Sequence, residues 1–427
     1  MKVLLIGNGG REHAIAWKLS QSPKLTKLFA APGNAGIAEI AECVDIPAKD
    51  QEGLLKFCKA QAIELVVVGP EAPLCDGIVD RFRKEGIRIF GPTQYAAQLE
   101  GSKVFSKEMM KKLGIPTGEF EVFSSADKAM DYVAKKGVPI VIKVDGLAGG
   151  KGVAVVSSMP KAMEAIHLDM VKKVFGKAGE RIVIEEHLDG EEASVIGITD
   201  GTTVHLLASS QDHKRIFEGD HGPNTGGMGA YSPAPVVTPA LEKEILERVF
   251  LPVVNEFRAL GHPFQGFLYA GIMMTAKGFR VLEFNVRLGD PETQAILPRL
   301  ENDLLELLVA AVDGTLSGIR LSWKEEDCVC VVIASEGYPE TYEVGKRIAG
   351  LSTAKEGGQI QVFHAGTKRE NGELVTAGGR VLNVVGSGRG LFEALSRTYS
   401  AVDKIFFDKM YYRKDIGHRA TRGSRVA

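Results

Sequence analysis

PIVIKVDGLAGGKGVAVV, residues 139–156, carries the clearest structural signal in the chain. An apolar run ends in Lys143, a loop containing glycines and Lys151 follows, and a run rich in β-branched residues closes the stretch. This pattern predicts a strand, a loop and a second strand. Two ammonium groups beside glycines, whose backbone N–H groups are unshielded, suit the oxygens of a polyphosphate.

The same stretch departs from the Walker A pattern of nucleotide-binding loops. That pattern requires Gly at position 145 and Ser or Thr at position 152, where the sequence has Asp145 and Gly152. A Walker loop also opens a helix, whereas residues 153–156 predict a strand. From this stretch alone, a glycine-rich hairpin with two surface lysines remains an equal alternative to a phosphate site.

Composition limits the classes of protein that the chain can belong to. Its 427 residues suggest two to four domains at roughly 150 residues each. The net charge of −2 lacks the basic footprint of a nucleic-acid-binding protein, so we expect no nucleic-acid partner. No apolar run approaches the roughly 20 residues that span a bilayer, so we also expect no membrane partner. The five cysteines lack zinc-ligand spacing, and core thiols in a reducing cytoplasm are expected.

Strand and helix patterns alternate along the first hundred residues. Predicted strands at 3–6, 28–31, 65–68 and 87–90 are separated by a helix over 12–20 and by Pro/Gly turns. This alternation predicts a doubly wound parallel sheet. Further along, we predict a helix over 102–113 capped by Ser102, helices over 239–259 and 291–313, and short strands followed by a helix after residue 323.

A second strong signal is RVLEFNVRLGDPE, residues 280–292. Because side chains alternate along a strand, Glu283, Asn285 and Arg287 are predicted to share one face, with the intervening apolar residues on the other. A carboxylate and an amide oxygen suit Mg²⁺, which keeps substrate phosphates among its ligands. A solvated polar sheet face is the alternative. Asp290 is predicted to cap a helix with Pro291 at its first position, beside backbone amides that can receive an anion.

GNGGREH, residues 7–13, follows the first strand and opens a helix. The dinucleotide fingerprint G-x-G-x-x-G requires glycine at position 12, where Glu12 stands, so NAD or FAD is disfavoured. A helix N-terminus beside glycines still binds phosphate, and a phosphorylated substrate at Gly9, Gly10 and Arg11 is the preferred functional hypothesis. A tight turn without a ligand is the alternative.

Two further segments are weaker signals. The carboxylate-rich run 185–192 follows a predicted strand and suits either a solvated turn or contacts to an adenine and a ribose. The cluster QDHKR, residues 211–215, leads into a glycine-rich loop around NTGGMG, residues 224–229. Long irregular loops in compact domains are more often functional than structural.

Taken together, these runs resemble the ATP-grasp superfamily. Over essentially all 427 residues, with VGPEAPL at 68–74 and DIGHRA at 415–420, the chain resembles the glycinamide ribonucleotide synthetase family. The resemblance implies an α/β multi-domain fold. Its parts are an N-terminal α/β substrate-binding domain over 1–101, an ATP-grasp domain over 102–326 with a mobile lid at about 123–190, and a small β-rich domain over 327–427.

The resemblance also implies the roles of individual residues. The ATP ligands would be Lys103, Lys143, Gly149, Gly150, Lys151, Glu185, Glu186, Leu188 and Glu192, with Glu186 and Glu191 competing with their neighbours for the adenine and ribose contacts. The substrate ligands would be Gly9, Gly10, Arg11, Glu71, Asn224, Gly226, Gly227, Asp290, Pro291 and Glu292. Arg287, Asp212 and Lys214 would be catalytic, and Glu283 and Asn285 would bind Mg²⁺ or Mn²⁺.

The activity that the resemblance implies is a ligation in de novo purine biosynthesis. ATP, glycine and 5-phosphoribosylamine would give glycinamide ribonucleotide, ADP and phosphate through glycyl phosphate, in a cytoplasmic monomer. Another ATP-grasp carboxylate–amine ligase or a carboxylase is the alternative. A non-catalytic nucleotide sensor would lack the predicted metal pair, and a dinucleotide oxidoreductase is disfavoured by Glu12.

Overall fold

A parallel sheet forms from the first ninety residues in the computed structural model, which describes residues 1–149, 151–356 and 358–423. Its strands are β1 (Lys2–Gly7), β2 (Lys27–Pro32), β3 (Glu42–Cys43), β4 (Leu65–Val68) and β5 (Ile89–Phe90). Helices α1 (Gly10–Leu19), α2 (Gln51–Gln61), α3 (Glu71–Cys75), α4 (Ile78–Lys84) and α5 (Gln94–Gly101) connect and flank them. The strand order β3-β2-β1-β4-β5 is parallel throughout, which confirms the predicted doubly wound sheet.

A separate antiparallel sheet, the lid sheet, carries the glycine-rich stretch. This part of the chain forms α6 (Lys103–Lys112), β6 (Phe120–Phe123), α7 (Ala126–Lys136), β7 (Ile140–Val144), β8 (Val153–Val156), α8 (Met159–Ile166) and β9 (Ile182–Glu186) in chain order. The strands pair in the order β6-β9-β7-β8, and they pack with α7 and α8 around a small core of their own. The predicted strand, loop and strand are confirmed, and Ser102 caps α6 by accepting the Phe105 N–H.

The middle of the chain forms a second antiparallel sheet. The elements of this part of the chain are β10 (Glu191–Asp200), β11 (Val204–Leu206), β12 (Gln211–Asp212), β13 (Arg215–Phe217), β14 (His221–Asn224), β15 (Gly229–Ser232), α9 (Pro239–Ile245), α10 (Leu251–Ala259), β16 (Gln265–Thr275), β17 (Gly278–Asn285), α11 (Glu292–Ile296) and α12 (Leu304–Asp313). The sheet order is β11-β10-β16-β17, and β13 pairs with β14 as a hairpin.

The predicted continuous helix over 291–313 is wrong. The chain leaves α11 through a 3₁₀ turn that contains Pro298, and α12 starts afresh at Asp303, whose carboxylate accepts the Leu305 and Glu306 N–H groups. The predicted helix over 239–259 is helical, with a π-helical turn between α9 and α10 just before Pro252. Proline cannot donate the backbone hydrogen bond that a regular helix needs there.

The C-terminal residues complete a third sheet. They form β18 (Asp327–Ser335), α13 (Leu351–Ala354), β19 (Ile360–His364), β20 (Thr367–Glu370), β21 (Glu373–Thr376), β22 (Arg380–Gly388), α14 (Leu391–Val402), β23 (Met410–Tyr411) and α15 (His418–Gly423). Strands β12 and β15 join it in the order β12-β15-β18-β22-β19, so this sheet combines distant parts of the chain. In the portion of the chain that the structure describes, no helix is long and apolar enough to cross a bilayer.

Candidate active site

A cavity of about 1230 Å³ is lined by residues from the N-terminal part, the lid sheet, the middle sheet and the C-terminal sheet. Most of the predicted site residues are brought together there: Arg11, Glu71, Lys103, Lys143, Gly149, Glu185, Glu186, Leu188, Glu192, Asp212, Lys214, Asn224, Gly226, Glu283, Asn285, Arg287, Asp290 and Glu292. Among the described residues, Gly9, Gly10, Lys151, Gly227 and Pro291 lie outside the lining. Gly150 falls outside the part of the chain that the structure describes.

Strand β17 supplies the predicted metal donors. Glu283 and Asn285 pair with Gly271 and Tyr269 of β16, and both side chains line the cavity together with Arg287. Leu282 also lines it, against the predicted alternation, because the pairing skips one residue between Val281 and Glu283. Such a β-bulge turns the extra residue out of the regular pleat.

Lysines surround the Glu283 carboxylate. Lys103 Nζ lies 2.7 Å from Glu283 Oε2. Burial opposes ionisation of this carboxyl, but Lys103, Lys214 and Lys143 together hold its pKa well below the usual range. Glu283 is therefore an ionised carboxylate surrounded by lysines. The lysines would attract anionic phosphates, and the carboxylate would attract a divalent cation.

Glu185 lies between two lysines at the junction of the lid sheet and α6. Its carboxylate is 2.9 Å from Lys143 Nζ and 2.6 Å from Lys107 Nζ, and all three side chains are buried. Lys143 Nζ also donates to the Leu282 carbonyl at 3.1 Å. Sequence reasoning missed Lys107, although its position four residues after Lys103 places both on one face of a helix. Burial and the neighbouring Lys143 lower the pKa of Lys107 to about 8.

Arg287 is held by carboxylates from the N-terminal part of the chain. Its guanidinium lies 2.7 Å from Glu100 and 3.3 Å from Glu71. Burial raises the pKa of Glu100, which also accepts the Val286 N–H at 2.7 Å. Glu100 was not predicted, because nothing near it in sequence indicates that α5 ends against β17.

The loop after β1 explains why the dinucleotide fingerprint fails. The Glu12 carboxylate turns back to accept the Gly9 N–H at 2.7 Å and to pair with Arg11 Nε at 2.6 Å. A Cβ on Gly69 would lie 2.2 Å from the Glu12 carboxylate, so this side chain occupies the space between the two loops. Arg11 remains in the cavity lining, anchored to the Leu288 carbonyl at 3.1 Å.

The predicted N-cap of α11, the helix that follows β17, is shifted by one residue. Helix α11 begins at Glu292 and Pro291 is its N-cap, so Asp290 lies one residue before the cap. Its carboxylate accepts the Arg11 N–H at 3.4 Å and the Gln294 Nε2–H at 2.7 Å. Arg380, which sequence reasoning missed, donates to the Asp290 carbonyl at 2.8 Å and to the Gly226 carbonyl at 2.7 Å.

Acidic groups also line the cavity around Lys214. Lys214 is hydrogen-bonded to Glu192, and Glu292 accepts the Tyr269 hydroxyl at 3.0 Å. Burial raises the pKa of Asp212 to about 7, with Lys214 opposing the shift and the nearby Glu292 and Glu192 adding to it. Asp212 Oδ1 is buried and has no hydrogen-bond partner among the described residues. A buried, unpartnered carboxylate oxygen suits an incoming cation or N–H donor.

The donors on β17 fit a divalent cation bound together with substrate oxygens. Within the described residues, no cluster of three or more His, Cys, Asp and Glu side chains could hold a metal by itself. Glu283 contributes an ionised carboxylate and Asn285 an amide beside it. This small donor set is what Mg²⁺-type sites use when phosphates complete the coordination.

An antiparallel lid sheet facing a second antiparallel sheet, with lysines from α6 and β7 opposite carboxylate and amide donors on β17, defines an ATP-grasp enzyme. The chain matches the phosphoribosylglycinamide synthetase N domain over residues 1–100, the ATP-grasp (A) domain over 101–293 and the C domain over 328–419. It therefore belongs to the phosphoribosylglycinamide synthetase family, and the predicted family and fold class are confirmed.

Individual relatives cover the whole chain. Phosphoribosylamine–glycine ligase of Neisseria meningitidis serogroup A is 52% identical over 98% of this chain and 99% of its own length. The Brucella melitensis ligase is 49% identical over 100% of both chains. The crystal structure of the Thermotoga maritima ligase has a TM-score of 0.85 at 34% identity, covering 97% of this chain and 100% of that one. The biotin carboxylase domain of Hydrogenobacter thermophilus 2-oxoglutarate carboxylase, 15% identical over 99% and 98% of the chains, shares the fold with a TM-score of 0.74.

Proposed function

We propose that this chain joins glycine to 5-phosphoribosylamine at the expense of ATP, giving glycinamide ribonucleotide, ADP and phosphate. The observation that carries the proposal is one cavity lined by most of the residues that the resemblance assigns to phosphate, metal and substrate, in a chain that relatives match over nearly all of its residues. The chain is an ATP-dependent carbon–nitrogen ligase, and its reaction belongs to de novo purine biosynthesis.

The chemistry requires activation of a poor acyl donor. The glycine carboxylate attacks the γ-phosphorus of ATP, the bond to ADP breaks, and glycyl phosphate forms. The sugar amine then attacks the glycyl carbonyl, phosphate leaves, and the amine loses a proton. Phosphoryl transfer depends mainly on positioning and on neutralising charge, and both can be supplied by fixed lysines, a metal ion and backbone amides.

The nucleotide end of the cavity is assigned to the lid and to β17. Lys103 and Lys143 would hold the phosphates under the loop that contains Gly149, Gly150 and Lys151. Glu283 and Asn285 would hold Mg²⁺ or Mn²⁺, whose charge neutralises the phosphate oxygens when it is bound. Adenine and ribose contacts are proposed for Glu186, Leu188 and Glu192. The Glu185 carboxylate is paired with both Lys143 and Lys107. We therefore propose that Glu185 orients Lys143 in addition to contacting the adenine.

The part of the cavity that would bind glycine and the sugar amine is assigned to the loop after β1 and to the acidic residues around Lys214. Arg11, with Gly9 and Gly10, would receive the sugar phosphate, and Asp290, Pro291 and Glu292 would receive its amine, with Glu71, Asn224, Gly226 and Gly227 lining the path. Asp212 would pair with the glycine ammonium, and Lys214, which is hydrogen-bonded to Glu192, would favour the ionised form of the Asp212 carboxylate through its charge. Arg287, held by Glu100 and Glu71, would face the glycine carboxylate or the transferred phosphoryl group.

The domain bounds 1–101, 102–326 and 327–427 and the lid at about 123–190 are retained as part of this proposal. A monomer in the cytoplasm is proposed as the working form. All five cysteines, which lie among the described residues, are free thiols, as expected in a reducing compartment.

The test is ADP release by purified protein with ATP, Mg²⁺, glycine and freshly prepared 5-phosphoribosylamine. Release that requires both glycine and the amine is expected. Bicarbonate in place of glycine is the control for the carboxylase alternative. Release that is independent of glycine, or that depends on bicarbonate, would overturn the proposal.

A further inference from the structure

The C-terminal segment, residues 413–419, runs along the loop that leads away from Asp212. We call residues 215–224 the hairpin, after its strands β13 and β14. Gly417 N–H donates to His213 Nε2 at 3.2 Å, and Gly219 N–H donates to the Asp415 carboxylate at 2.8 Å. Residues separated by about two hundred positions are thus joined at successive points.

Arg413 is the buried centre of this contact. Its side chain is 0% exposed and donates to the Arg215 carbonyl at 3.0 Å and to Asp220 Oδ1 at 2.9 Å. The same guanidinium pairs with both oxygens of Asp415 at 2.7 Å. A buried guanidinium fork satisfied in this way fixes the orientation of its partners.

Arg419 extends the contact into the active site. Its guanidinium donates to Asp220 Oδ2 at 2.9 Å through Nη2 and to the Asp212 carbonyl at 3.1 Å through Nη1. Arg419 and the adjacent His418 both line the cavity. One side chain therefore ties the backbone of Asp212 to the hairpin carboxylate Asp220.

We propose that Arg419 is a positioning residue for glycine, because it fixes the backbone of Asp212 and holds the hairpin through Asp220, so that the C-terminal segment completes the glycine subsite. This inference rests on the proposed function, in which Asp212 pairs with the glycine ammonium. Asp212 Oδ1 is buried and without a partner among the described residues, and the backbone of the same residue accepts a hydrogen bond from Arg419 Nη1, in addition to its strand pairing with Ala230.

Charge gives Arg419 a second effect on the same carboxyl. The groups that act on Asp212 are Lys214 from its own segment, Glu192 of β10, Glu292 of α11 and Arg419 of α15. Lys214 and Arg419 lower the pKa of Asp212, whereas burial and the two glutamates raise it. Loss of Arg419 is therefore expected to raise this pKa further.

The test compares Arg419→Ala, Arg419→Lys and the control Lys414→Ala in the full-length protein. Lys414 lies in the same segment, but its backbone N–H, rather than its side chain, contacts Glu218. We expect Arg419→Ala to raise KM for glycine at least about tenfold, the size of a lost charge-assisted hydrogen bond, with KM for ATP within about twofold of wild type. The acid limb of kcat/KM for glycine should move to higher pH in Arg419→Ala and less in Arg419→Lys, which keeps the charge. Lys414→Ala should match wild type in both.

Amide hydrogen exchange of residues 212–224 adds a readout that needs no substrate, and faster exchange is expected in Arg419→Ala. A folded Arg419→Ala with unchanged KM for glycine and an unchanged acid limb would overturn the inference, as would equal increases in KM for ATP and glycine. If Arg419→Ala does not fold, the same criteria apply to Arg419→Lys. A wild-type protein without glycine-dependent ADP release would instead contradict the proposed function, while the exchange result would still test the anchoring.

Discussion

Two segments contribute residues to the lining of the same cavity, and they are held in different ways. The lid loop, residues 145–152, is fixed at its start, where the Asp145 carboxylate accepts the Ser102 hydroxyl at 2.6 Å, but Leu147 beyond it is 41% exposed. The hairpin is fixed along its length by Arg413 and Arg419. The two segments thus differ in their anchoring: the lid loop, proposed to close over ATP, is bonded at its start, whereas the hairpin near Asp212 is bonded at several points.

The largest effect is expected at Glu283, which lies between the two segments and belongs to neither. Glu283→Gln removes the carboxylate proposed for the metal and leaves Lys103 without its partner. We expect kcat to fall by at least about a thousandfold, because charge neutralisation at the phosphates is the main catalytic contribution in phosphoryl transfer. Steady-state ADP release measures it.

Glu244→Gln is the matched control, since Glu244 pairs with Arg248 on an exposed helix face. It should behave as wild type, and both variants should keep the wild-type circular dichroism spectrum. Unchanged kcat in Glu283→Gln would show that the metal site has been assigned to the wrong residues.

A smaller loss is expected from the lysine at the base of the lid. Lys143→Met keeps the side-chain volume but removes a cation fixed to Glu185 at 2.9 Å, so kcat/KM for ATP should fall by about a hundredfold. Lys151→Met changes a lysine of the lid loop that is exposed and lies outside the cavity lining, and the loss should stay below about fivefold. Equal losses in the two variants would mean that the lid loop, rather than β7, carries the phosphate contact.

The sequence predicted best those residues whose neighbours in the chain determine their position. Lys103, Lys143, Glu283 and Asn285 lie on a capped helix or on strands with clear apolar patterns, so local periodicity placed them. The exception is Leu282, because a bulge depends on the strand that pairs with it. The break in the helix after residue 296 was visible in Pro298 and Asp303 and could have been predicted from them.

The residues that sequence reasoning missed lie far along the chain from the groups that they hold. Glu100, Lys107, Arg380 and Arg419 bond to groups in other elements, and Arg419 lies 207 positions from the Asp212 carbonyl that it binds. The i, i+4 spacing to Lys103 and the run 415–420 pointed to Lys107 and Arg419, but no local pattern identified the distant groups that these side chains bind. This is why the lid loop was predicted as a functional element, whereas the anchoring of the hairpin was not.

The difference in anchoring can be tested directly at Arg413. Arg413→Met removes the buried guanidinium that pairs with both Asp220 and Asp415, while Asp220 keeps its pair with Arg419. We expect the hairpin to open more easily by about 2–3 kcal/mol, at the low end for a broken buried pair because both carboxylates retain some solvent contact. Hydrogen exchange of residues 215–224 should accelerate accordingly, while exchange in residues 145–149 stays unchanged.

The exposed pair Arg347–Glu373 provides the control. Arg347→Ala should alter exchange in neither segment, since surface ion pairs contribute less than about 1 kcal/mol. Faster exchange in the lid loop as well as in the hairpin of Arg413→Met would mean that the two segments open together, and the proposed difference between them would be wrong.

The smallest effect is expected from pH, and it concerns Asp212, which lies next to the anchored hairpin. Burial raises the pKa of Asp212 to about 7, so the carboxyl is ionised above that pH and neutral below it. The glycine ammonium stays charged throughout this range and needs the ionised form. We therefore expect kcat/KM for glycine, which reports on the free enzyme, to fall about tenfold per pH unit below about 7. Lys103, one of the lysines proposed to bind phosphate, should keep its charge in this pH range, since Glu283 raises its pKa. KM for ATP should therefore change by no more than about twofold between pH 6 and 8. Parallel changes for both substrates would place the titrating group outside the glycine subsite, whereas a limb confined to glycine would assign it to the anchored side.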